Sequence, residues 1–152
     1  MFYEKGLNFT CKRCSACCRL SPGVVYLSRQ DLTNLCLEFN LKDTEFVEKY
    51  CRWVMYYDGE YVLSLQETKE YDCILWSTEG CRAYKGRPVQ CSTYPFWSWM
   101  LADRQQWDEC AKDCPGMNNG QLRTFGEIEE QCKLYDSIVP LKKRDFDLEQ
   151  GI

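Results

Sequence analysis

Cys11, Cys14, Cys17 and Cys18 fall in one run, Cys11-Lys-Arg-Cys14-Ser-Ala-Cys17-Cys18. The chain has 12 cysteines and no histidine, so any soft-metal site must be built from sulfur. A Cys-x2-Cys pair closes a chelate loop around one zinc ion or one edge of an iron–sulfur cluster. Cys17, at a second two-residue interval, extends the pair to the Cys-x2-Cys-x2-Cys arrangement of a cubane [4Fe–4S] cluster. A second compact Cys-x2-Cys knuckle is missing, which argues against a zinc ribbon or finger. The competing readings are a disulfide framework and free redox thiols. In a reducing compartment, clustered thiols favour metal.

Adjacent side chains in a tight loop point in different directions. Cys17 and Cys18 therefore serve two centres, or one ligates while the other packs. Distant partners must complete the coordination, and Cys73, Cys81, Cys91 and Cys114 are the candidates. With the first four they make a set of Cys11, Cys14, Cys17, Cys18, Cys73, Cys81, Cys91 and Cys114. That set suffices for two four-cysteine zinc sites, two cubanes or a shared polynuclear cluster, so more than one metal ion is expected. Cys110, one helical turn before Cys114, stays open as a ligand. Cys36, Cys51 and Cys132 lie on the apolar stripes of predicted helices and read as small buried hydrophobes.

Local charge agrees with thiolate chemistry. The stretch from Cys11 to Arg19 carries Lys12, Arg13 and Arg19 and no acid. The stretch from Cys81 to Cys91 carries Arg82, Lys85 and Arg87 and again no acid. Nearby cations favour thiolate over thiol. The plainer reading is a solvated basic surface. The aromatic run Tyr94-Pro-Phe-Trp-Ser-Trp-Met-Leu101 reads first as core and shield, and second as a contact surface. Asp72, Glu79 and Asp108 form no pair with diagnostic spacing and read as surface charges.

These residues need elements to hold them. Ser21-Pro22-Gly23 marks a turn after the first cysteine loop, and Val24–Leu27 suits a short strand. Ser28 with Asp31 forms a capping-box pattern, followed by Leu32, Leu35, Cys36 and Phe39 at helical spacing. A second helix is predicted from Asp43 or Thr44, with Val47, Tyr50, Cys51 and Val54 on one face. Asp58-Gly59 between two apolar runs predicts a hairpin. Cys73–Trp76 reads as a short buried strand, and Pro88 opens a short helix through Cys91. Residues 102–123 look irregular. Thr124 and Glu127 complete a capping box for a last helix bearing Ile128, Cys132 and Tyr135. After Pro140 the chain reads as a loose charged tail.

The expected fold is a small α+β domain of about three helices, a hairpin and short strands, with irregular loops organised by a polycysteine metal centre. It is expected to span residues 1–140, followed by a charged tail over 141–152. At 152 residues the chain is long enough for one core. A net charge of −4 offers no basic field for nucleic acid. The N-terminal residues lack a signal-peptide pattern, and no apolar run approaches a membrane span. A cytoplasmic protein without a membrane partner is expected.

The motifs taken together resemble the YkgJ-like cysteine-cluster family, whose CxxCxxCC domain is described as zinc- or iron-chelating. Cys11, Cys14, Cys17 and Cys18 match its first motif. Gly80-Cys81-Arg-Ala-Tyr84-Lys-Gly-Arg87-Pro88-Val-Gln-Cys91-Ser-Thr-Tyr94-Pro95-Phe96 resembles its second, and Cys114-Pro115-Gly116 its third. Cys73 falls where the family has a cysteine before Gly-x-Cys. Ser15 and Ser92 stand where the family usually has glycine and arginine, and Asn118 and Asn119 interrupt a glycine-rich stretch. The resemblance covers roughly residues 9–120 and implies metal binding through the eight cysteines. It implies no reaction.

Two functions follow as expectations. The first is a metal-binding protein whose all-cysteine iron–sulfur or zinc centre serves redox, sensing or partner-dependent accessory work. The second is a structural zinc module that mediates protein–protein contact. Without histidine there is no Cys–His nucleophile pair, so no enzyme activity is assigned.

Overall fold

A computed structural model of the chain describes residues 1–12, 24–69, 72–77, 80–83 and 85–151. The architecture is α+β, with short antiparallel strand pairs and six helices among the described residues. The chain divides into two compact units. One comprises Met1–Cys17 and Ser92–Ser137, the other Cys18–Cys91 and Ile138–Ile152. No helix among the described residues is long and apolar enough to cross a membrane.

In the second of these units, α1 spans Arg29–Phe39 and begins at the Ser28–Asp31 capping box. Ser28 Oγ accepts from the Asp31 amide, and Asp31 returns an acceptor to the Ser28 amide. Asn40, in the left-handed conformation at φ 54°, ends the helix. α2 spans Asp43–Tyr50 and passes directly into β2, Cys51–Met55. β2 pairs antiparallel with β3, Tyr61–Leu65, with Cys51 opposite Leu65 and Met55 opposite Tyr61. The Asp58-Gly59 turn joins them, with Gly59 at φ 84°. That backbone region favours glycine.

Two short strands follow, β4 at Trp76–Ser77 and β5 at Gly80–Cys81. Helix α3, Val89–Thr93, carries Cys91. Leu27, Leu32, Leu35, Phe46, Leu63 and Leu75 are fully buried in this unit's core.

The other unit pairs β1, Leu7–Phe9, with β6, Met117–Arg123, antiparallel. Helix α4, Arg104–Ala111, is capped by Asp103, whose carboxylate accepts from the Gln106 amide at 2.8 Å. Helix α5, Phe125–Asp136, starts at the Thr124–Glu127 capping box. The core is aromatic. Phe96 stacks on Trp107 and meets the edge of Phe9, with both ring pairs 5.8 Å apart between centroids. The buried indole of Trp107 donates to Asn118 Oδ1 at 2.8 Å, which satisfies a polar group inside apolar surroundings.

Several sequence expectations change. Val54 is in β2 and not on the second helix, because the chain leaves helical geometry after Tyr50. Cys51 is buried as expected, but as a strand residue. Residues 102–123 are ordered as α4 and β6 instead of being irregular, since Trp107 and Met117 anchor them in the core. Of residues 73–77 only Trp76–Ser77 form a strand, while Cys73 makes an isolated bridge to Glu67. Residues 24–27 lie along β3 with a bridge at Tyr26 and no longer strand. Asp72 is buried, not exposed. Its backbone exchanges hydrogen bonds with Thr68.

The charged stretch after Pro140 is not loose. Lys143–Glu149 form helix α6, and its Phe146 is buried against Trp53, with ring centroids 5.6 Å apart. Arg29 bridges α2 and α6, reaching Asp43 at 2.7 Å and Glu149 at 3.1 Å. Phe146→Ala is expected to lower stability by about 3 kcal/mol in urea denaturation, the usual cost of emptying a buried aromatic site. No change would mean that the tail contributes nothing to the core.

Candidate metal centre

The structure describes five of the eight candidate ligands. Cys14, Cys17 and Cys18 lie outside the described residues. Cys11 is exposed, Cys73, Cys81 and Cys91 are partly buried, and Cys114 is buried. Among the described residues no three cysteine or carboxylate side chains converge into a group that would hold a metal ion. What the fold does show is how the segments bearing these cysteines are held.

Cys11 and Cys114 belong to the unit with the aromatic core. Cys114-Pro115-Gly116 follows α4, and its turn lies against Thr10, the residue before Cys11. The Thr10 amide donates to the Gly116 carbonyl at 3.3 Å. A Cβ on Gly116 would stand 2.2 Å from the Thr10 carbonyl oxygen, so only glycine permits this approach. Thr10 Oγ1 accepts from the Gln121 amide at 2.9 Å, on the far side of the same turn. A Cβ on Gly120 would meet that hydroxyl at 2.3 Å. Two glycines thus make room for Thr10, and Thr10 seats the chain that enters the first cysteine loop.

Cys73, Cys81 and Cys91 belong to the other unit. Cys73 and Cys81 are on neighbouring segments. The Trp76 amide donates to the Cys73 carbonyl at 2.9 Å, and Trp76 pairs with Cys81 across β4 and β5. The Arg82 amide donates to the Leu75 carbonyl at 2.9 Å. The Arg82 guanidinium donates to the Ile74 carbonyl at 3.0 Å and lies 5.5 Å from the Tyr50 ring centroid. Lys12, Arg82 and Lys85 are exposed beside the candidate cysteines in the chain, so the basic residues form solvated surface as well.

The remaining thiols are of a different kind. Cys36 and Cys51 are buried in the core of their unit. Burial, and then a hydrogen bond with Asp43, pushes the Cys36 thiol up to about 12. Burial, and then the neighbouring Cys36, does the same to Cys51. Such groups stay protonated and are poor nucleophiles and ligands. Cys110 and Cys132 are partly buried against the aromatic core, and burial is the main cause of the upward shift of both thiols. Cys132 is thus less enclosed than its place on the helical stripe suggested.

Of the aromatic run, Phe96, Met100 and Leu101 are core. Trp99 is half exposed.

A donor set of sulfur alone would suit a thiophilic ion, zinc or iron, and not a hard cation. The fold and these thiols define a small α+β protein of the cysteine-cluster class. Residues 10–133 match the CxxCxxCC family, described as "Putative zinc- or iron-chelating domain". The chain belongs to that family. No solved structure matches the chain.

Sequence reasoning missed the positioning role of Thr10, and it read Asp31 only as a helix cap. The glycine of Cys-Pro-Gly was the available signal for the first.

Two outcomes test this description. Gly116→Ala should push the turn off Thr10 and cost about 2 kcal/mol. Hydrogen exchange at the Thr10 amide should accelerate with it, and unchanged exchange would refute the contact. The second concerns pH. The unfolded thiol ionises near 9.0, the folded ones near 12. The stability held by the buried neutral thiols is therefore complete below about pH 9 and falls as pH rises toward 12. Cys51→Ala should flatten that alkaline fall, cost about 1 kcal/mol at neutral pH and leave metal content intact. Loss of a metal equivalent would make Cys51 a ligand.

Proposed function

We propose that this protein binds more than one metal ion through an all-cysteine set, Cys11, Cys14, Cys17, Cys18, Cys73, Cys81, Cys91 and Cys114. The metal is iron, as an iron–sulfur cluster, or zinc. The centre serves redox, sensing or partner-dependent accessory work. The observation that carries this reading is the glycine-only contact between Gly116 and Thr10. It continues the Phe9–Met117 strand pair and sets the Cys-Pro-Gly turn against Thr10, the residue before Cys11. Membership of a chelating family supports the same reading.

The roles of the residues follow from the donor chemistry. The thiolates hold the ion, and the chain's cations at Lys12, Arg82 and Lys85 offset their negative charge. Bound iron would supply electron transfer, which zinc cannot.

A second reading keeps the ligands and changes the purpose. Each unit's core is small, and a structural zinc would add folding energy to such a unit. The half-exposed Trp99 would then be part of a protein-binding surface.

Protein purified without oxygen should carry two or more metal equivalents by elemental analysis. Broad visible absorption that bleaches on reduction would identify iron–sulfur, and a colourless zinc protein would favour the second reading. Serine at Cys11, Cys14 or Cys17 should lower the metal content and destabilise the fold. Unchanged stoichiometry in all three variants would contradict the proposal.

A further inference from the structure

Two polar side chains, the buried Asp31 and the partly buried Gln90, tie down the segment that carries Cys91. Asp31 is 2 % exposed, unusually low for a capping carboxylate. In the equivalent box at α5, Glu127 is exposed. The difference is a second duty. Asp31 Oδ2 accepts from the Ser28 amide, and Oδ1 accepts from the Val89 amide, each at 3.1 Å. Gln90 makes the complementary tie. Its Oε1 accepts from the Tyr26 amide at 3.0 Å, and its Nε2 donates to the Val24 carbonyl at 2.8 Å. The side-chain amide thus binds the backbone of residues 24–26 in both directions, as a strand residue would.

Val89 and Gln90 immediately precede Cys91 in α3. A helix of five residues does not hold its own position, because helix nucleation is unfavourable. The ties come from residues about sixty positions away in the chain, so they are tertiary and not local. Both run to residues 24–31, downstream of the first cysteine run in sequence. Two tethers on consecutive residues fix the helix in place as well as in rotation, and with it the point from which Cys91 leaves the backbone.

We propose that Asp31 and Gln90 are positioning residues that present the Cys91 thiolate to metal. The inference rests on the reading of Cys91 as a ligand. Outer groups that orient a ligand usually matter about 10- to 100-fold in metal affinity. Neither side chain need touch the ion, and neither is assigned any role in a reaction.

The test uses full-length protein stripped of metal and reloaded with Zn(II) alone under anaerobic conditions. Gln90→Met keeps the length of the side chain and removes both hydrogen bonds. Asp31→Asn keeps the shape but turns one acceptor into a donor. Each should lower zinc affinity in chelator competition by about 10- to 100-fold. Each should also make Cys91 react faster with iodoacetamide than it does in the wild type, read by peptide mass spectrometry. Phe146→Ala, a core variant of the same unit, should destabilise the protein while leaving Cys91 protected. Wild-type affinity and protection in Gln90→Met and Asp31→Asn would overturn the inference and leave the ligand reading intact. Equal exposure of Cys91 in Phe146→Ala would also overturn it, by reducing the tethers to general stability. A wild-type protein that takes up no zinc and leaves Cys91 reactive would overturn the ligand reading and this inference together.

Discussion

Leu27, Leu63 and Leu141 exchange backbone hydrogen bonds in a closed cycle. The Leu27 amide donates to Leu63, the Leu63 amide to Leu141 and the Leu141 amide to Leu27, at 2.9 to 3.1 Å. All three side chains are buried in one core. Each peptide group would otherwise be an orphaned donor and acceptor in an apolar interior, at a cost of about 1–3 kcal/mol apiece. The cycle joins the segment after the first cysteine run, the centre of the hairpin and the chain just before α6. Helix α1, the β2–β3 hairpin and α6 are arranged around it. The ties through Asp31 and Gln90 connect α3 to residues on either side of Leu27 in the chain.

The elements written in local chemistry were readable from sequence. Ser28 with Asp31, Thr124 with Glu127 and Asp58-Gly59 each specify a cap or a turn through residues next to one another, and all three occur where expected. What was missed depends on distant partners. Residues 104–111 carry few apolar side chains, so only the burial of Trp107 makes that helix worthwhile. Phe146 looked like one aromatic in a charged tail until Trp53 was there to pack against it. The passage from α2 into β2 at Cys51 escaped because Val47, Tyr50, Cys51 and Val54 also fit a helical stripe. Pairing with β3 overrides that local pattern.

For the candidate site the sequence offers donors and says nothing of the residues that support them. Cys36 and Cys51, read as core thiols, are buried and held protonated, while Cys132 is only partly buried and Cys91 lies within α3 and not in a loop. Thr10, Asp31 and Gln90 give no spacing signal, because a threonine, an aspartate and a glutamine are ordinary residues anywhere. Their importance lies in backbone groups they meet far along the chain. In this chain the Cys-Pro-Gly turn must have its glycine to approach Thr10. The tethers are not marked by any such chemical necessity.

On the proposed reading sulfur alone binds the metal. X-ray absorption at the metal edge of anaerobically purified protein tests it most directly. The expected result is a first shell of sulfur at about 2.3 Å, with no nitrogen or oxygen contribution, for zinc or for iron. A first shell of light atoms would contradict it.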